Sequence, residues 1–211
     1  MPYTTFILDL DGTLLDTLQD LTAAVNHAFR LHGLPAQRPE DVRRCLGNGY
    51  ARLVGDLGGT PDVLADFNAY YGRHCMDLTA PYDGVLPTLA EMRRRGARMA
   101  IVSNKGDEAV QQLRRKFFAD LVPIAVGESA TVRRKPNPDA VLEAMRQLGA
   151  AADEAVYVGD SEVDIETARR AGLPCLSCTW GFRSEAHLLA HGASRLLHAP
   201  EEILSFVADR A

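Results

Sequence analysis

Residues 4–17 read Thr-Thr-Phe-Ile-Leu-Asp-Leu-Asp-Gly-Thr-Leu-Leu-Asp-Thr, and the rest of the chain can be placed outward from them. Phe6, Ile7 and Leu8 make an apolar run of the length of a buried strand. The run leads directly into Asp9, Asp11, Gly12 and Thr13. Two carboxylates therefore stand where a strand ends, and in an open α/β sheet the crevice beyond the carboxyl ends of the strands is where ligands bind. Two residues apart on a regular strand, Asp9 and Asp11 would face the same way and repel. Such a pair needs a shared proton, a bound cation or an isolated lysine or arginine. A hard divalent cation such as Mg²⁺, with oxygen ligands and retained waters, fits a carboxylate pair followed by a small Gly-Thr turn.

The 211 residues allow one or two domains, and 46% hydrophobic residues suffice for a sizeable core. A net charge of −5 argues against a nucleic-acid binder, whose domains carry a basic face, so local basic residues must do any phosphate binding. No stretch approaches the roughly 20 apolar residues of a membrane span, and the first residues lack the basic and apolar regions of a signal peptide. A cytoplasmic protein is expected, a monomer or homodimer. Cys45 and Cys75 read as buried small residues. Cys175 and Cys178, with His187 and His191 beyond, invite a zinc reading, but residues three apart face opposite sides of a strand and the interval to His187 is short for a finger. The two histidines read as an exposed helix face.

Beyond the opening stretch, residues 17–32 read as a helix, with Thr17 and Asp20 suited to capping and Leu18, Leu21, Val25 and Phe29 at helical spacing. Further helices are predicted over 39–46, 48–57 and 61–75, with no strand between Asp16 and Tyr82. Residues 17–81 thus form an α-helical insert after the first strand, and 1–16 with 82–211 form the other domain. From Val85 the pattern alternates: helix 85–95, strand 98–103, helix 107–117, strand 121–126, helix 138–148, strand 155–159, helix 162–171 and strand 173–178. A final helix, weak strand and helix fill 184–209. Such alternation means an α/β fold, a doubly wound parallel sheet with helices on both faces.

Three further strand or helix ends carry chemistry. Met99-Ala-Ile-Val runs into Ser103-Asn104-Lys105-Gly106, where the Ser103 hydroxyl and following amides can donate to a phosphoryl oxygen. Lys135-Pro-Asn137-Pro138 lies at a helix start, where Asn137 can cap and Pro138 takes the first helical position. Tyr157-Val-Gly-Asp160-Ser-Glu-Val-Asp164 brings another carboxylate to the same sheet edge, although Asp160 and Asp164 also suit a helix N-terminus.

Together these strings resemble the four motifs of the haloacid dehalogenase superfamily, in its phosphatase branch. Asn104 and Lys105 after Ser103, and Gly47-Asn48-Gly49 in the insert, are similar to phosphoglycolate phosphatases. The resemblance implies a Rossmann-like core with a helical cap, and Asp9 as a nucleophile that becomes an aspartyl-phosphate. It further implies Asp11 as acid/base, Ser103 and Lys135 as electrostatic helpers, and Mg²⁺ as cofactor. The metal would be held by Asp9, Asp160 and the Asp11 main-chain carbonyl, with Asp164 supporting the site. Thr13, Asn104, Gly47, Asn48, Gly49 and Arg52 are the candidates for contacting a small phosphorylated metabolite, 2-phosphoglycolate first. Related members act on pyrophosphate, sugar phosphates and nucleotides, or move phosphate within hexoses. A phospho-acceptor module such as a receiver domain would unite similar residues, but such modules are shorter and lack a helical insert.

Overall fold

The computed structural model describes residues 2–208. Strand β1 (Thr5–Asp9) is followed by the two-residue β2 (Leu15–Asp16) and four helices, α1 (Leu18–Leu31), α2 (Pro39–Cys45), α3 (Tyr50–Asp56) and α4 (Pro61–His74). The chain returns through β3 (Ala80–Pro81), antiparallel to β2. It then alternates through α5 (Val85–Arg94), β4 (Arg98–Gly106), α6 (Asp107–Phe117), β5 (Ile124–Glu128), α7 (Asp139–Leu148), β6 (Ala155–Gly159), α8 (Glu162–Ala171) and β7 (Cys175–Cys178). Helix α9 (Glu185–Ala190), strand β8 (Leu196–Leu197) and a 3-10 helix, Pro200–Phe206, complete it.

The six-stranded sheet has the order β5-β4-β1-β6-β7-β8, with every pairing parallel. The connection order reverses at β1, so the crevice of this α/β sheet opens at the carboxyl end of β1, where Asp9 lies. Alternation along the strands sends Phe6, Leu8, Val156 and Val158 into one apolar layer and Ile7, Ala100, Val102 and Tyr157 into the other. Burying Phe6, Ile7 and Leu8 on both faces contributes roughly 1.5–3 kcal/mol per side chain. That anchors the strand on which the adjacent carboxylate is carried. Cys178 and Cys175 fall into these opposite layers, and all four cysteines are free thiols.

Helices α1–α4 enclose an apolar cluster of their own, built on Leu21, Val25 and Phe29 of α1 against Phe67 and Tyr71 of α4. Several details depart from the sequence reading. Thr17 makes no capping bond, and the Asp20 carboxylate instead accepts from the amides of Leu78 (3.0 Å) and Thr79 (2.8 Å), tying the start of α1 to the return segment. A short strand, β3, occupies 80–81, where none was expected. Strand β5 begins three residues late, because Phe118 and Val122 fill the first layer from a turn closed on the Phe118 carbonyl. Pro138 flanks α7, and Asn137 donates to the Arg134 carbonyl instead of capping. The last helix is 3-10 and ends at Phe206; residue 209 of the expected segment lies outside the described residues. Among the described residues no helix is long and apolar enough to cross a membrane.

Candidate active site

Asp9 ends β1 with its carboxylate buried, and Asp11 follows it outside the strand. The crowding of these two acids is relieved by separate cations. The Lys135 ammonium donates to Asp9 Oδ1 at 2.6 Å, and Lys105 Nζ lies 3.0 Å from Asp11 Oδ1. Asp9 Oδ2 accepts no hydrogen bond among the described residues. Lys135 also donates to Asp164 Oδ1 (2.7 Å) and to the Tyr157 hydroxyl (3.1 Å). Burial works against its charge, but Asp164 and Asp9 together outweigh burial and raise its pKa above the ordinary lysine value.

Asp160 follows the Gly159 end of β6. Its Oδ2 accepts from the Phe182 amide at 2.6 Å, and its Oδ1 faces the Thr13 hydroxyl at 3.5 Å. The carboxylate sits in a cradle of glycines, since a Cβ at Gly12 or Gly181 would strike it. Asp164 forms a capping box with Ser161 at the start of α8. Its Oδ2 accepts from the Ser161 amide and hydroxyl, and its Oδ1 from Tyr157 and Lys135, so its oxygens are fully engaged.

Oxygens of Asp9, Asp160 and Asp164 all lie within 4.8 Å of one another. One contacting ammonium, Lys135, stands against these three buried acids, an imbalance of two charges that a divalent cation would satisfy. The mutual repulsion and burial of these acids show in their proton affinities. Burial, then the charge of Asp164, pushes the Asp160 carboxyl up to about 7, and burial and Asp164 also lift Asp9 well above the usual carboxylate range despite Lys135. Asp9 and Asp160 have coordinating capacity to offer, while Asp164 is spent on Lys135, Tyr157 and Ser161.

A small cavity of about 50 Å³ lies over these groups, lined among others by Asp9, Asp11, Ser103, Lys105, Lys135 and Asp160. It has space for a few waters, at roughly 10–15 Å³ each. Its far wall comes from the helical layer: Leu21, Leu53 and Tyr50 on helices, with Leu46, Gly47 and Gly49 from the turn between α2 and α3. Ser103 Oγ lies 3.4 Å from Asp11 Oδ2 and accepts from the Lys105 amide at 3.1 Å.

The remaining sequence candidates divide. Thr13 holds Asp160 and does not line the cavity. Asn104 lines it, but its amide group is occupied, donating to the Gly47 (2.9 Å) and Lys135 (3.1 Å) carbonyls and accepting from the Lys135 amide (2.5 Å). Asn48 presents its main-chain carbonyl to Arg134. Arg52 is 67% exposed, pairs with Asp56 at 3.2 Å and is absent from the cavity wall, because its position on α3 turns it to solvent.

Sequence reasoning missed a set of contacts that joins the helical layer to the sheet. Asn104 near the end of β4, and Arg134 and Arg183 from two different loops, all donate to main-chain carbonyls of the segment 43–48. Arg43 returns the contact by donating to the Gly181 and Phe182 carbonyls. The turn they grip needs Gly47 (φ 103°) and Gly49 (φ 81°), since those dihedrals disfavour residues with a Cβ. Buried Arg183 also pairs with Glu162 at 2.9 Å, and His187 meets the same carboxylate at 3.0 Å, so this histidine is engaged and not simply a solvent-facing residue. Arg183 lies in an irregular segment with no periodicity to mark it. Lys105 carried the better signal, a lysine directly after a strand's terminal Ser-Asn, but its burial beneath Tyr50 and Tyr71 needs the fold.

A family model described as haloacid dehalogenase-like hydrolase matches residues 6–178. A phosphoglycolate phosphatase of Pseudomonas putida is 32% identical, over 97% of this chain and 80% of its own length. An N-acetylmuramic acid 6-phosphate phosphatase of Pseudomonas aeruginosa is 31% identical over 97% and 94%. A crystal structure from Lactobacillus delbrueckii subsp. bulgaricus, provisionally named a phosphoglycolate phosphatase, superposes with a TM-score of 0.93 at 34% identity, covering 99% of this chain and 100% of that one.

Proposed function

The chain belongs to the haloacid dehalogenase-like hydrolase family, and on that premise we propose that it is a Mg²⁺-dependent phosphatase acting on a small phosphorylated metabolite, with 2-phosphoglycolate the foremost candidate. The observation that carries this reading is the meeting of Asp9, Asp11, Ser103, Lys135 and Asp160 around one small cavity at the switch point of the sheet. Helices within residues 17–81 act as a cap that closes over it.

In the first step an Asp9 oxygen attacks phosphorus and the bond from phosphorus to the ester oxygen breaks. Asp11, protonated, gives its proton to that oxygen as the alcohol leaves. The resulting aspartyl-phosphate on Asp9 is then hydrolysed: Asp11, now a carboxylate, takes a proton from the attacking water and is restored. Lys135 holds Asp9 in place and neutralises part of the charge that develops on the phosphoryl oxygens, and Ser103 donates to them. Mg²⁺, held by Asp9 and Asp160, would supply further charge neutralisation at the same oxygens. The leucine wall and the grip of Asn104, Arg134 and Arg183 on the cap exclude bulk water, so these electrostatic interactions act in a medium of low dielectric.

The relatives' names include both a two-carbon acid phosphate and an amino-sugar phosphate. The small volume of the cavity favours the former. Asp9→Asn should abolish turnover of 2-phosphoglycolate with Mg²⁺ while leaving the circular dichroism spectrum and Tm of a folded protein. Near-wild-type activity in that variant would remove Asp9 as nucleophile and the mechanism with it.

A further inference from the structure

Asp160 is held by a segment that no helix or strand fixes. Residues 179–184 join β7 to α9 as irregular chain, and the Phe182 amide within them donates to Asp160 Oδ2 at 2.6 Å. The fit is close: a Cβ at Gly181 would lie 2.3 Å from the Gly12 carbonyl oxygen and 2.4 Å from Asp160, so the main chain rests directly against the carboxylate. At one end of the segment the Trp180 indole donates to the Thr13 carbonyl at 3.0 Å. The rest is held by the cap. Arg43, on α2, donates from Nε to the Phe182 carbonyl at 3.0 Å and from Nη2 to the Gly181 carbonyl. Arg183 answers in the opposite sense, donating to the carbonyls of Arg43 (3.1 Å) and Leu46 (2.6 Å). Its Nε meets Glu162 at 2.9 Å, two residues beyond Asp160 along the chain. Two guanidinium groups thus clasp the cap to the segment that carries the amide partner of Asp160.

We propose that Arg43 and Arg183 are positioning residues for the metal: by clasping the cap to residues 181–183 they keep the Phe182 amide on Asp160, so that seating of the cap and binding of Mg²⁺ strengthen one another. This inference rests on the Mg²⁺ site proposed above, whose acids Asp9 and Asp160 both lie on the sheet side. A ligating carboxylate binds an ion more tightly when an outer hydrogen bond already fixes its orientation. The Phe182 amide does this through Oδ2, while Oδ1 has only the distant Thr13 hydroxyl, at 3.5 Å. Loosening the clasp frees an irregular segment and with it the carboxylate. Linkage makes the effect reciprocal, so the factor that a seated cap adds to Mg²⁺ affinity is the factor that Mg²⁺ adds to seating. A direct effect of charge has the opposite sign. A guanidinium close to the site repels a second cation, so through the field alone its removal would tighten Mg²⁺ binding.

Titration calorimetry of Mg²⁺ into the metal-free protein tests this without turnover. Arg43→Met removes the clasp from the cap side at an exposed residue. Arg44→Met is the control, deleting the same charge one position on, from an exposed side chain paired with Asp41. Loss of a group that directly orients a metal ligand costs roughly 10- to 100-fold in affinity, and Arg43 acts one bond further out, so Arg43→Met should weaken Mg²⁺ binding by about 3- to 10-fold. Arg44→Met should stay within about twofold of the wild type. If Arg43→Met does not fold, Arg43→Lys keeps the charge without the fork and should show the same direction of change. Hydrogen exchange over residues 39–49 reads the reciprocal effect: Mg²⁺ should slow it in the wild type and in Arg44→Met, and not in Arg43→Met. Affinity that is unchanged or higher in Arg43→Met, an equal loss in Arg44→Met, or slowing by Mg²⁺ that survives in Arg43→Met overturns this inference alone. A wild type that binds no Mg²⁺ overturns the metal reading and this inference with it.

Discussion

Divalent metal should stabilise this protein far more at pH 8 than at pH 5.5. Burial, followed by the charge of Asp164, lifts the Asp160 carboxyl from the ordinary 3.8 to about 7 in the metal-free protein. The folded state therefore holds this proton more tightly than the unfolded chain does. The carboxyl costs nothing below about pH 4, and it withdraws stability progressively as pH rises to about 7. At about 1.4 kcal/mol per tenfold change in proton affinity, the full cost above pH 7 is about 4 kcal/mol. Asp9, raised in the same direction by burial and Asp164, adds to it. A cation between the carboxylates stabilises the charged form that burial disfavours and so removes the cost. One kcal/mol corresponds to ~2–4 °C in Tm for a chain of this size, so saturating Mg²⁺ should raise Tm by about 10 °C at pH 8. At pH 5.5 the cation must displace a bound proton, and the gain should be roughly half as large. Scanning calorimetry with excess Mg²⁺ or excess chelator at the two pH values measures this directly. Asp160→Asn removes the titrating group and should flatten the pH dependence. An equal Mg²⁺ increment at both pH values, or a pH dependence unchanged in Asp160→Asn, would refute the reasoning.

Two substitutions test the geometry from opposite sides. Gly181→Ala places a methyl group against the Asp160 carboxylate and the Gly12 carbonyl, so Mg²⁺ affinity measured by titration calorimetry should fall at least tenfold while the two apolar layers stay intact. Arg52→Ala removes an exposed side chain that, among the described residues, pairs only with Asp56, a contact worth about 0–1 kcal/mol. It should leave KM for 2-phosphoglycolate within twofold of the wild type, and a tenfold rise would return Arg52 to the substrate site.

Much of this protein is legible along the chain, because its elements are periodic and its acids stand at element ends. The run Phe6-Ile7-Leu8 ends in Asp9, and Val156-Tyr157-Val158 leads through Gly159 to Asp160. Burial on both faces demands unbroken apolar strands, and the residue after such a strand is the first free to be polar. The helical layer was legible for a similar reason, since Leu21, Val25 and Phe29 return at every turn or so of α1. Boundaries were less so. Where Phe118 and Val122 reach the core from a turn, an apolar pattern looks like a strand that the backbone does not form.

What tertiary structure alone decided is which charges meet. Asp20 suits a helix cap by position, but its carboxylate is spent on the amides of Leu78 and Thr79 more than fifty residues away. Arg52 and Lys105 are equally cationic in the sequence, yet one faces water and the other lies beneath two tyrosines against Asp11. Arg183, Asn104 and Arg134 converge on the carbonyls of a single glycine turn from segments separated along the chain. Periodicity reports which face of an element is buried, a local property of spacing. The partner of a buried charge is set by how two layers pack, and no local pattern encodes that.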